Sequence, residues 1–209
     1  MKDNAHKQTK FIGVLRAIIS PIVRLLFRVK IEGMENLPES GGYVFASNHI
    51  SLMDPVFWLV ITKKRIRYMA KQELFKPKPF AWLLKKAGVF GVSREGGNVG
   101  SVNYAIDIVK DGGILGIFPE GTRSKDGKPG KAKAGVAFIA NATGADVLPM
   151  AVIVKNKVRP FHKTILKIGK PIPHDEIHFD GTDRKGLRNA TTRIMDEITL
   201  LWENGQNEL

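Results

Sequence analysis

The segment Ser47-Asn48-His49-Ile50-Ser51-Leu52-Met53-Asp54-Pro55 sets a histidine and an aspartate five residues apart, directly after an apolar run. An imidazole held by a carboxylate at one ring nitrogen leaves the other free to take a proton near neutral pH, the chemistry of a general base. Five residues lie about 140° apart around an ideal helix, so His49 and Asp54 meet only if the turn between them folds back. Asp54 is equally placed to cap a following helix that has Pro55 at its first position. The two roles are compatible, because one carboxylate has several acceptor sites. A nucleophilic Ser51 would need a Ser–His hydrogen bond and usually a strained turn. The nearest approach to Gly-x-Ser-x-Gly is Gly91-Val92-Ser93-Arg94-Glu95, which fails at its last position. Direct attack by a substrate hydroxyl is the simpler chemistry.

A second segment, Phe118-Pro119-Glu120-Gly121-Thr122-Arg123-Ser124, is followed by Lys125, Lys128, Lys131 and Lys133. Gly121 permits close backbone approach, Thr122 and Ser124 carry hydroxyl donors, and Arg123 offers a planar fork that matches a phosphate. Together they read as an anion cradle. Gly116 and Gly121 have Walker-A spacing, but Thr122 stands where the lysine belongs, which excludes a P-loop. Lys125 and Lys128 read as solvated loop cations. A third segment, Gly88 to Gly97, puts Arg94 just past a strand-like run; taken alone it is an ordinary surface arginine. A fourth, Val147-Leu148-Pro149-Met150, has a proline inside an apolar run, which suits an edge strand or a bulge lining a pocket.

Both loops follow apolar runs of strand length. Residues 43–47, 66–70, 89–92, 114–118, 147–154 and 164–168 read as strands, and 55–62, 79–87, 98–110, 134–143 and 183–202 as helices. This alternation predicts an α/β fold, a mixed and mostly parallel sheet flanked by helices. Ligands of such sheets bind outside the carboxyl ends of strands, where both loops fall. Residues 31–209 are expected to form this domain and residues 1–30 an accessory segment.

In that segment the run from Phe11 to Phe27 is interrupted by Arg16, Pro21 and Arg24. It is too charged for a membrane span, which needs roughly 20 apolar residues, and no signal-peptide cleavage site follows it. On a helical projection Phe11, Val14, Leu15, Ile18, Ile22, Leu25 and Leu26 share one face and Lys10, Arg16, Ser20, Arg24 and Arg28 the other. The pattern predicts a basic amphipathic helix lying in a membrane surface. The competing expectation is a helix packed on the domain with its basic side in water.

The 209 residues suffice for one full core, and 43% apolar with 25% charged residues excludes intrinsic disorder. No cysteine is present, which excludes a disulfide framework and a thiolate nucleophile. A net charge of +13 requires an anionic partner, whether nucleic acid, anionic bilayer or phosphorylated substrate. Lys63, Lys64, Arg65 and Arg67 add a cluster that could attract anionic lipid, and Trp58 and Trp82 either pack or sit at a membrane boundary.

Taken in order, Asn48 to Asp54, Gly88 to Arg94, Phe118 to Ser124 and Leu148 to Met150 resemble the four motifs of the 1-acylglycerol-3-phosphate acyltransferase family, over about Gly33 to Lys170. The resemblance implies a His–Asp dyad and metal-free transfer of an acyl group from acyl-CoA or acyl-carrier protein to lysophosphatidic acid, without a cofactor. It implies His49 as base, Asp54 as its orienter, and Arg94, Glu120, Arg123 and Lys71 around the acceptor phosphate, next to Gly121 and Thr122. Backbone N–H groups around Gly121 become oxyanion donors, and Met150 an acyl-chain wall. Where the family often has a Phe-Lys-x-Gly-Ala-like stretch, this chain reads Lys131-Ala132-Lys133-Ala134-Gly135, which leaves the part of Lys131 and Lys133 open. The expected location is the cytoplasmic face of a membrane, peripherally bound. A non-catalytic basic module for nucleic acid or membrane is the alternative; no RNP or zinc-finger motif supports nucleic acid, and a metallohydrolase lacks His-Glu-x-x-His.

Overall fold

In the computed structural model, which describes residues 2–76, 81–82, 84–85, 88–92 and 99–209, the chain alternates helices and strands as the apolar runs require. Its elements are α1 (Lys2–Leu26), β1 (Val29–Glu32), β2 (Tyr43–Ser47), α2 (Asp54–Ile61), β3 (Ile66–Lys71), β4 (Val89–Val92), α3 (Val99–Lys110), β5 (Ile114–Ile117), α4 (Gly135–Thr143), β6 (Val147–Ile153), β7 (Thr164–Ile168) and α5 (Arg184–Gln206). The helix expected over 79–87 lies partly outside the described residues, and Arg94 lies wholly outside them.

The strands form one seven-stranded sheet in the order β1-β7-β6-β2-β5-β3-β4. Every neighbouring pair is parallel except β6 with β7, so β7 and β1 run against the other five. β2 and β6 are buried along their whole length, which is why they read as unbroken apolar runs rather than alternating ones. One face is covered by α3, α4 and α5, with Ile108, Ile139, Ile194 and Ile198 against Val44, Leu115 and Val147. The other is covered by α1 and α2, with Phe27, Phe57 and Trp58 against Phe45, Leu148 and Leu166. Each fully buried side chain of this size contributes roughly 1.5–3 kcal/mol.

Two sequence expectations change here. Pro149 lies in β6, an interior strand flanked by β2 and β7, not on an edge. Its missing donor points toward β7 where that strand has run out into Gly169, whose N–H donates to the Pro149 carbonyl at 2.9 Å, so only one rung of the ladder is lost. Met150 is fully buried in the core and lines no open wall.

Right-handed crossovers place the site. The chain leaves β2 through α2 on one face to reach β3, and leaves β5 through α4 on the opposite face to reach β6. β2 and β5 are neighbours, so the loops after them diverge and open a crevice between their carboxyl ends.

α1 reverses the orientation expected of a domain-packed helix. Ser20, Val23 and Phe27 are buried, and Phe27 meets the Phe57 edge at 5.7 Å. Arg16 Nε donates to the Leu59 carbonyl at 2.9 Å and Arg24 Nη2 to the Val60 carbonyl at 3.3 Å. Both carbonyls belong to the last turn of α2, where a helix has no backbone donors left to satisfy them. The arginine side therefore faces the domain, and Val14, Ile18, Ile22 and Leu25 remain exposed. Among the described residues, no helix is long and apolar enough to cross a membrane.

Candidate active site

β2 hands the chain to Asn48, which is fully buried. Its Nδ2 donates to the Val152 carbonyl at 3.0 Å and its Oδ1 accepts from Val152 N–H at 2.8 Å. The side-chain amide thus supplies one more rung where the β2–β6 ladder ends at Ser47 and Met150. His49 is clamped through its backbone by the second loop: its N–H donates to Glu120 Oε1 at 3.1 Å and its carbonyl accepts from Ser124 N–H at 2.7 Å.

The turn then folds back. Asp54 Oδ2 lies 2.7 Å from His49 Nδ1 and accepts from the backbone N–H groups of Ile50 at 2.7 Å and Ser51 at 2.9 Å. A carboxylate only accepts, so Nδ1 carries the ring proton and Nε2 is left as the base. Asp54 is fully buried, and its Oδ1 has no partner among the described residues. The capping role is corrected: Met53 occupies the N-cap of α2 without a side-chain bond, and the Asp54 carboxylate reaches backward into the loop. Ser51 Oγ accepts from Met53 N–H at 3.1 Å as a turn residue and makes no bond to His49 among the described residues.

An aromatic stack backs the imidazole. His49 lies on Phe118 with centroids 4.1 Å apart and planes 18° apart, and Phe118 lies on Trp58 at 4.7 Å and 28°. Trp58 is buried in the core, not at a membrane boundary, with Phe45 and Tyr68 meeting its edges. Gly116 makes the room, since a Cβ there would stand 2.1 Å from Trp58 Cζ3. The His49 side chain keeps 17% of its surface exposed.

Glu120 is buried and braces the loops, accepting from the backbone N–H groups of His49 and Gly130. Burial pushes its carboxyl above the usual range, and those two hydrogen bonds partly oppose the shift. Gly121 sits at φ 67°, in the left-handed region. Its N–H donates to the Phe118 carbonyl at 3.0 Å and is spent, which removes it as an oxyanion donor. A Cβ at Gly121 would lie 3.0 Å from Lys133 Nζ, so the Lys133 chain crosses the cradle. Thr122 and Arg123 are exposed beside it, and no hydrogen bond or ion pair engages the Arg123 guanidinium among the described residues. The Ser124 hydroxyl donates to Asp126 Oδ1 at 2.8 Å and accepts from Gly127 N–H, closing the loop instead of offering itself to a ligand.

Residues 28–153 match the family model described as Acyltransferase. The chain belongs to the acyltransferase family. It is 33% identical over 197 residues to the chloroplastic 1-acyl-sn-glycerol-3-phosphate acyltransferase LPAT1 of Arabidopsis thaliana, covering 91% of this chain and 54% of that protein. With the 1-acyl-sn-glycerol-3-phosphate acyltransferase of Bacillus subtilis the identity is 39% over 131 residues, 62% of this chain and 65% of that protein. The chain thus spans about half to two thirds of the length of these relatives. Among solved structures, the 1-acyl-sn-glycerophosphate (LPA) acyltransferase PlsC of Thermotoga maritima superposes with a TM-score of 0.71 at 28% identity, covering 96% of this chain and 83% of that one.

Within this acyltransferase fold the structure gathers His49, Asp54, Glu120, Gly121, Thr122 and Arg123 at one crevice. Lys71 ends β3 opposite Val92, which puts its backbone at the same end of the sheet, two strands from β2. Arg94 lies outside the described residues. The cluster at 63–67 is elsewhere, before and at the amino end of β3: the Lys64 ammonium is taken by the carbonyls of Pro38, Glu39 and Ser40, and Arg65 and Arg67 line a cavity of about 470 Å³. Three contributors escaped sequence reasoning: Asn48 as clasp, Phe118 as the ring behind the imidazole, and Lys133 across Gly121. Asn48 and Phe118 adjoin the charged groups of their motifs, His49 and Glu120, and carry no charge of their own.

Proposed function

We propose that this site moves a fatty acyl group from a thioester, acyl-CoA or acyl-carrier protein, to the free hydroxyl of lysophosphatidic acid, giving phosphatidic acid. The observation that carries the reading is the buried Asp54 carboxylate on His49 Nδ1, beside an exposed cradle whose Arg123 guanidinium is unengaged among the described residues. The names of the relatives from Arabidopsis and Bacillus support the choice of acceptor.

His49 Nε2 takes the proton of the acceptor hydroxyl as its oxygen attacks the thioester carbonyl. The carbon–sulfur bond breaks, and the thiolate leaves with the proton returned by the imidazolium. General-base catalysis contributes about 10²–10⁴-fold. Asp54 fixes the tautomer and stabilises the imidazolium, as a carboxylate does in the serine-protease triad. Arg123 and Lys133 grip the acceptor phosphate together with Lys71 and Arg94, and holding both reactants in line contributes up to about 7–11 kcal/mol in well-oriented cases. The backbone N–H groups of Thr122 and Arg123, free among the described residues, are the candidate oxyanion donors. No metal or cofactor enters this reading. The exposed apolar stripe of α1 binds the chain peripherally to the cytoplasmic face of a membrane, where the lipid acceptor resides.

The test is thiol release from acyl-CoA and acyl-carrier protein with a panel of lysolipids, comparing wild type with His49→Ala. The expected outcome is release with lysophosphatidic acid, reduced at least about 10²-fold in the variant with folding unchanged. Wild-type rates in His49→Ala would remove the dyad from the mechanism. Release with other lysolipids only would replace the acceptor.

A further inference from the structure

The segment joining β6 to β7 is strongly basic. Residues 155–163 carry Lys155, Lys157, Arg159, His162 and Lys163 and no acidic residue. Lys163 is committed, its ammonium donating to the Glu208 carbonyl at 2.5 Å; Lys155, Lys157 and Arg159 are exposed. Phe161 stands among them 72% exposed, at φ 63°. A bulky non-glycine residue in the left-handed region is uncommon and signals a constraint. The constraint is visible: Phe161 N–H donates to the Leu26 carbonyl, and His162 N–H donates to the Arg159 carbonyl at 3.3 Å. These bonds close a tight turn that aims the ring away from the core.

The position of the turn gives it a meaning. It follows the carboxyl end of β6, the end at which Asn48 holds Val152 and His49 opens. On one side it reaches the cradle loop, since a Cβ at Gly127 would lie 3.4 Å from the Asn156 carbonyl. On the other it is bonded to the last residue of α1, next to Leu25, which is 80% exposed. Leu52, on the His49 loop, is also exposed. An aromatic ring standing out from a ring of cations is the composition that enters an anionic bilayer surface, the ring in the interfacial layer and the cations on headgroups.

We infer that the β6–β7 turn is a second membrane contact, with Phe161 inserted into an anionic lipid surface and Lys157 and Arg159 beside it. This rests on the membrane-surface reading of α1. The apolar stripe sets how α1 is rolled in the surface but leaves the helix free to tilt out of it; a second contact beyond its end limits that tilt and keeps the His49 crevice toward the lipid.

Because the chain has no cysteine, Phe161→Cys takes a single environment-sensitive dye. On vesicles of equal parts phosphatidylcholine and phosphatidylglycerol its emission is expected to shift to the blue and brighten. The same dye at Asp111→Cys, exposed in the turn before β5 at the opposite end of the sheet, is expected to stay unchanged. Phe161→Asn, which tolerates the left-handed backbone, is expected to weaken vesicle binding about tenfold or more. If the wild-type chain does not bind vesicles, the reading of α1 falls and this inference with it. Binding by the wild type with no dye shift at 161, or with unchanged affinity in Phe161→Asn, overturns the second contact alone. So does a shift caused by a small acidic protein and not by vesicles.

Discussion

The two long helices, α1 and α5, are both amphipathic and settle with opposite sides outward. α5 behaves as its pattern predicts: Ala190, Ile194 and Ile198 pack into the core, and on its outer side Arg193 pairs with Glu197 one turn on and with Glu176. α1 turns Arg16, Ser20 and Arg24 toward α2 and leaves Val14, Ile18, Ile22 and Leu25 uncovered. The helix's own pattern does not decide which side is buried; the partner does. α5 meets an apolar sheet face, whereas α1 meets the end of a helix whose carbonyls lack donors, and arginine supplies them. The apolar stripe left over is what the proposed membrane contact would cover.

Three variants test this contrast. The largest effect is expected from Ile198→Ala, which truncates a fully buried side chain and should cost roughly 2–5 kcal/mol in denaturant unfolding, with vesicle binding unchanged. Next, Ile18→Ser combined with Ile22→Ser should leave unfolding within about 0.5 kcal/mol while weakening vesicle binding at least about tenfold. A drop in unfolding stability instead would mean that the stripe is packed in solution. The smallest effect concerns Glu208, just past α5, which pairs with Lys167 and with Lys30, shortly after α1. Hydrogen bonds from Lys167 and Lys30 lower its carboxyl pKa to about 2. A carboxyl so lowered contributes stability fully above its unfolded value near 4.3 and loses it as pH falls toward about 2. Glu208→Gln should therefore melt slightly earlier than wild type at neutral pH, and the gap should close across that acid interval in a series of melting curves.

The same contrast explains which features the sequence made legible. β2 and β6 were legible because strands covered on both faces carry unbroken apolar runs. β1 was not, because Val-Lys-Ile-Glu is short, alternating and at the sheet edge. The His–Asp pair was legible from residue type and spacing, since its partners are neighbours along the chain. The Asn48 clasp was not, because its partner Val152 is 104 residues away. Ser124 was misassigned for the converse reason: Asp126, two residues on, takes its hydroxyl first, a local competition typical of short polar side chains in loops. The turning of Arg16 and Arg24 toward the domain depended on carbonyls of another helix, which no periodicity reports.

Gly116 is a buried residue that carries no functional group, yet the imidazole's resting place begins there. Its bare Cα seats Trp58, Trp58 seats Phe118, and Phe118 seats the ring of His49. The orientation of the base is thus inherited from the sheet's midsection through three stacked planes. A methyl group introduced in the core would reach the mouth of the crevice without any residue there being changed.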